Sequence, residues 1–231
     1  MRYWQNYWNT SSIIKDKCSQ KQVGRTSIKQ PVSKAVWEKT LRFVWKEMGI
    51  NRDSNVLELC SGNGMLTIPL AKVVNNVTAV DFSEPLVGNL RKQLELENIT
   101  NVTTIVEDIN KNVFPEGIFS HVLMYFAIQH FNEKDIINLM EKVYGSLQDN
   151  GVFYIGDIPD RARLWDFANT DEYASMYFMS IKNDTPAIGT WFLQKDLIML
   201  GKWVGFTKFQ IVNQPEYQIN SKYRFDILLR K

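Results

Sequence analysis

Short apolar runs alternating with stretches of helical period constrain this chain more than any other feature of it. Residues 56–60, 77–82, 102–106, 119–126 and 152–157 are such runs, each of strand length and closed by turn-forming or acidic residues. Between them, residues 84–97 set Leu86, Leu90 and Leu94 on one face, and residues 135–147 do the same with Ile136, Met140, Val143 and Leu147. Residues 65–74 read as the helix that follows the first run. Alternation of this kind implies an α/β fold, a parallel sheet with right-handed crossovers and helices on both faces. The run at 119–126 is nearly unbroken, as a strand covered on both faces requires.

The rhythm has clear edges. A helix is signalled from Pro31, with Trp37, Leu41 and Met48 at helical spacing, and it ends near Gly49. Residues 1–30 carry Tyr3, Trp4, Tyr7 and Trp8 without a clean period and read as an appended arm. Residues 158–192 break the alternation and read as an insertion; a helix at 193–204 and strands at 208–212 and 223–229 complete the chain. A length of 231 residues suits one domain, taken as 31–231, with the arm as a lid before it.

Composition removes several classes of function. Lysine and arginine total 27 against 25 acidic residues, so no global field favours a polyanion, and nucleic acid is not the expected partner. The two cysteines, Cys18 and Cys60, lack metal-ligand spacing and are too few to staple the domain, which implies no metal and a reducing compartment. The first ten residues are polar and aromatic rather than an apolar leader, and no window approaches a membrane span. A cytoplasmic protein without a membrane partner is expected.

Ligands of parallel α/β sheets sit at the carboxyl ends of the strands, which places the chemistry after Cys60, Asp81, Val106, Met124 and Asp157. Gly62 and Gly64 occupy the turn where the first strand reverses into a helix, and backbone without side chains can approach a ligand closely there. Asp81 ends the second strand, where a carboxylate can accept both hydroxyls of an adenosine ribose. Two cofactor classes use this geometry. A dinucleotide fingerprint wants a third glycine where this chain has Thr67, which counts against a nicotinamide-dependent oxidoreductase.

The segment Val56-Leu57-Glu58-Leu59-Cys60-Ser61-Gly62-Asn63-Gly64 resembles the first motif of class I S-adenosylmethionine-dependent methyltransferases, of the small-molecule or surface-glycan type. Residues 77–82, Val106-Glu107-Asp108-Ile109, 119–131 and 145–157 resemble the later motifs in order. The resemblance implies a Rossmann-like, seven-stranded, mostly parallel sheet with the last strand antiparallel. It implies S-adenosyl-L-methionine as cofactor, with Glu58, Cys60, Ser61, Gly62, Asn63 and Gly64 around its methionine portion. It further implies Asp81 on the ribose, Phe82, Asp108 and Ile109 at the adenine, and Met124 beside the sulfonium. Arg25 in the arm is a candidate for the cofactor carboxylate.

For the transfer itself, Tyr125, His130 and Asp157 stand near the ends of the fourth and fifth strands and are the candidate catalytic side chains. The Asp/Asn-Pro-Pro-aromatic tetrad of base-amino methyltransferases is absent, since the fourth strand ends Met124-Tyr125-Phe126-Ala127, and a small acceptor is the expectation. Arg161, Arg163 and Arg224 follow or border the last strands and would suit an anionic or sugar-derived acceptor, methylated on oxygen or nitrogen. A non-catalytic domain that binds an adenosyl ligand remains the alternative from another class.

Overall fold

The computed structural model describes residues 2–11, 19–24, 26–27, 30–111, 113–185 and 188–231. The strands of the main sheet are β1 (Asn55–Leu59), β2 (Asn76–Asp81), β3 (Val102–Val106), β4 (Phe119–Tyr125), β5 (Leu147–Pro159), β6 (Lys208–Asn213) and β7 (Arg224–Arg230). They pair in the order β3-β2-β1-β4-β5-β7-β6. The first five run parallel, whereas β7 is antiparallel to both of its neighbours, so the expected sheet is the one formed.

Because side chains alternate across a strand, each strand feeds two cores. Leu57, Leu59, Val122, Met124, Phe153 and Ile155 face one side, with α5 (Glu133–Ser146) and α7 (Gln194–Val204) laid over them. Val56, Leu123, Tyr125, Val152 and Tyr154 face the other, under α2 (Lys34–Met48), α3 (Thr67–Ala71) and α4 (Glu84–Leu96). Helix starts follow side-chain caps: Ser33 accepts from the Val36 amide and Asn132 from the Asp135 amide.

Three local expectations are corrected. The helix expected over 65–74 is only five residues long, since Pro69 lacks a donor and fits no further than a first turn. The strand expected at 152–157 starts earlier and runs from Leu147 to Pro159, with an irregularity where Phe119 pairs with Leu147 but His121 with Val152. The aromatic arm, read as lacking a period, forms α1 (Arg2–Ser11). Within the insertion the chain makes a 3-10 turn at Arg161–Arg163, a turn of helix at Leu164–Phe167 and α6 (Asp171–Lys182). No helix among the described residues is long and apolar enough to cross a membrane.

Candidate active site

The sheet order reverses at β1, which has β2 on one side and β4 on the other. A cleft with about 980 Å³ of empty space, part of it open to solvent, lies beyond the carboxyl ends of these strands. Open α/β sheets present their ligand sites at this switch point.

One end of the cleft is built on a carboxylate. After Leu59 the chain turns through Cys60 and Gly62, both with left-handed backbone at φ 59° and 56°. That turn aims the Gly62 amide at Asp81, to which it donates at 2.8 Å, while the Ser83 amide donates to the other carboxylate oxygen at 2.9 Å. Each oxygen keeps a further lone pair for a ligand hydroxyl. Burial pushes the Asp81 carboxyl up to about 6 against the pull of its two amide donors, so it is largely ionised at neutral pH. Farther along, Phe82, Asp108 and Ile109 line the wall, and Asp108 accepts from the Asn110 amide at 3.0 Å.

The other end is aromatic. His130 sits on a 3-10 turn at Ile128–His130, and its ring lies 4.1 Å from the Trp4 ring and 5.5 Å from the Trp8 ring. Helix α1 therefore covers this part of the cleft. Burial, assisted by the positive charge of Arg224, lowers the His130 imidazole to about 3 and keeps it neutral. Both of its ring nitrogens are buried without a hydrogen-bond partner among the described residues. Tyr125, Phe126 and Trp37 complete the wall.

Several residues proposed from sequence do not line this cleft. Glu58 lies behind the turn: burial, opposed by the Thr67 side chain and reinforced by the Asp81 charge, pushes its carboxyl up to about 8. Gly64 lies outside the lining too, and Met124 points into the core on the opposite face of the sheet, as alternation along β4 dictates. Asp157 is turned away into a buried polar network. Its carboxylate accepts from Gln214 at 3.0 Å, and Arg224 holds both its carbonyl and, at 3.7 Å, its carboxylate. A buried guanidinium needs such partners, and Arg224 stacks 4.9 Å from the Phe126 ring centroid instead of facing the cleft. Arg163 pairs with Asp160 at 3.7 Å, and Arg161 donates to the Tyr177 hydroxyl at 2.8 Å on the inserted segment. Arg25 lies outside the described residues.

Conversely, Trp37, Phe126 and Phe131 line the cleft without having been singled out. Trp37 carries the period of a core residue, and only the seating of α2 turns it toward the cleft. Phe126 follows directly after β4, a strand-end position that is itself a signal, and it adopts φ 58°.

Residues 56–151 match the family model of a methyltransferase domain. Over that stretch, from β1 into β5, the chain is similar to methyltransferase domains. It is 28% identical over 124 residues to the ubiquinone/menaquinone biosynthesis C-methyltransferase of Rickettsia prowazekii, covering 49% of this chain and 49% of that protein. The chain thus spans about half the length of the curated relatives it matches. Among solved structures, the Haemonchus contortus phosphoethanolamine N-methyltransferase 1, in complex with phosphoethanolamine and S-adenosylhomocysteine, superposes with a TM-score of 0.70 at 11% identity. That match covers 99% of this chain and 48% of the worm protein. A structure described as an O-methyltransferase from Nostoc punctiforme gives 0.65 at 16% identity, over 84% of this chain and 56% of that one. These superpositions establish the fold of the domain.

Proposed function

We propose that this domain binds S-adenosylmethionine in the cleft and directs its methyl group to a small acceptor held at the aromatic end. The observation that carries this reading is the pairing of the two ends. An ionised carboxylate braced by the Gly62 and Ser83 amides stands at one, and an uncharged aromatic chamber around His130 stands at the other. The residues fit the cofactor. Asp81 retains lone pairs for two ribose hydroxyls, and the buried Ser61 hydroxyl has no hydrogen-bond partner among the described residues. The cofactor supplies a methyl carbon activated by a sulfonium. The side chains of this chain then have to align, desolvate and hold a proton. Trp4, Trp8 and Phe126 exclude water from the reacting end. The neutral His130 accepts a hydrogen bond from an acceptor O–H or N–H and so orients it. Asp108 and Ile109 hold the base end of the cofactor.

The acceptor is small and uncharged where it reacts. Among the described lining residues the cleft presents no lysine or arginine, so an anionic group on the acceptor has no counter-charge inside it. Methylation of oxygen or nitrogen fits a hydrogen-bonded His130.

Calorimetric titration with S-adenosylhomocysteine tests the cofactor half. Asp81→Ala loses charge-assisted bonds worth about 1.5–3 kcal/mol each, so its affinity falls by roughly 10-fold or more. Equal affinity in parent and variant, or tighter binding of NADH than of S-adenosylhomocysteine, refutes the assignment.

A further inference from the structure

Helix α6 is made of apolar side chains that it does not bury. Its sequence is DEYASMYFMSIK, none of its residues is buried, and Met176 and Phe178 are 58% and 57% exposed. A helix of this length gains too little from its own hydrogen bonds to hold such a face in water unaided. Beneath it runs a groove with about 1470 Å³ of empty space, part of it open to solvent. Tyr173, Met176 and Tyr177 form one wall, and Phe167, Ile188 and Trp191 the other.

The described lining of the groove carries one charge. Among its described lining residues, Arg161 alone is ionisable to a cation or an anion at neutral pH. Its guanidinium is held by the Tyr177 hydroxyl at 2.8 Å and forms no ion pair with a carboxylate among the described residues. An anion therefore meets a positioned cation with donors to spare and no carboxylate among the described lining residues. The electrostatics point away from a lipid surface as the occupant, because anionic membranes draw helices with several cations and α6 offers Asp171 and Glu172 against Lys182.

The groove also shares a wall with the cleft. Thr190 donates its amide to the Gln129 carbonyl at 2.8 Å and its hydroxyl to the Phe131 carbonyl at 2.9 Å. Gly189 comes so close that a Cβ there would lie 2.2 Å from the Gln129 oxygen and 3.3 Å from the Trp4 ring. One thickness of backbone separates the two spaces, next to His130.

We propose that the groove beneath α6 is a binding site for an elongated amphiphile, an apolar chain bearing a carboxylate or phosphate that Arg161 receives. Met176 and Met179 on α6 let the wall adapt to chains of different shape. This site stands on its own residues and does not depend on the methyl-transfer reading.

Calorimetry on the full chain, below the micelle concentration of each probe, tests it with hexanoate, dodecanoate, dodecyl phosphate and dodecanol. The expected result is that dodecanoate or dodecyl phosphate binds at least tenfold more tightly than hexanoate and than dodecanol. Whichever acid binds better identifies the head group. Met176→Glu weakens the C12 acids at least tenfold, and Arg161→Gln brings them down to the level of dodecanol. Both variants keep parental affinity for S-adenosylhomocysteine, which also shows that they are folded. Equal binding of the short and long acids, or C12 binding that survives Met176→Glu, overturns the proposal. So does a concentration-dependent dimer in sedimentation velocity that Met176→Glu abolishes while no C12 acid binds, for the face is then a contact between two copies.

Discussion

Glu58 combines near-complete burial with a carboxyl raised to about 8, and its Oε2 has no hydrogen-bond partner among the described residues. In the unfolded chain this group ionises near 4.5, whereas in the folded protein it keeps its proton until about 8. Between those values the folded state binds more protons than the unfolded one, so this group makes stability fall as pH rises, by up to about 1.4 kcal/mol per unit. Glu58→Gln preserves the shape without the titration. The difference in unfolding free energy, variant minus parent, is expected to grow in favour of the variant between pH 5 and pH 8, by on the order of 2–4 kcal/mol. Urea unfolding at several pH values measures it, and a difference independent of pH would contradict the buried, protonated state. The resemblance to the first methyltransferase motif makes Glu58 a candidate ligand; its depth behind the glycine turn follows from strand pairing with both β2 and β4, which no local pattern records. Asp81 was legible for the opposite reason, since an acid that ends a strand beside a glycine turn has one place to go.

At the scale of elements, two contacts hold the aromatic end of the cleft together. β5 contributes Gly156, where a Cβ would lie 2.2 Å from the Tyr125 ring of β4 and 3.0 Å from the Tyr154 ring. Gly156→Ala forces Tyr125 from its place, and an overpacking cost of about 1–3 kcal/mol is expected in chemical denaturation, together with weaker S-adenosylhomocysteine binding. An alanine variant as stable as the parent would show that Tyr125 is free to move. The second contact is α1. Replacing both Trp4 and Trp8 with alanine admits water to His130, and its titration, followed by NMR, is expected to rise from about 3 toward the ordinary imidazole value near 6.5. An imidazole still neutral at pH 5 in that double variant would mean that Arg224, not the aromatic cover, sets its state. The seven strands were readable from apolar runs, whereas α1 was not: its aromatic residues cover a site formed by β1, β2 and β4, so their spacing answers to that surface rather than to a core of its own.

For the whole molecule, the switch point between β2, β1 and β4 gathers the site from residues far apart in the chain, from Trp4 to Phe131. A ligand that bridges these segments stabilises only the assembled fold. S-adenosylhomocysteine at about 100 times its dissociation constant adds about 2.7 kcal/mol, equivalent to a rise in Tm of roughly 5–10 °C for a domain of this size. A scanning calorimetry trace that does not move at that concentration would speak against binding to the folded state. The motifs reach the carboxylate end of the cleft, where Asp81, Phe82, Asp108 and Ile109 follow strand ends and line its wall. They misplaced the arginines because the path of the chain after β5 depends on packing: Arg224 is drawn beneath Phe126, and Arg161 and Arg163 leave with the insertion.

The placing of the indoles has an optical consequence. Of the seven tryptophans, Trp4, Trp8 and Trp37 line the cleft and Trp191 lines the groove beneath α6. Emission from an indole responds to the polarity and quenchers around it, so the protein carries a separate built-in reporter for each of its two cavities. With Trp191 replaced by phenylalanine the remaining change on adding a ligand comes chiefly from the cleft, and with the cleft indoles replaced it comes chiefly from the groove. Occupancy of either cavity can then be followed by unlabelled fluorescence.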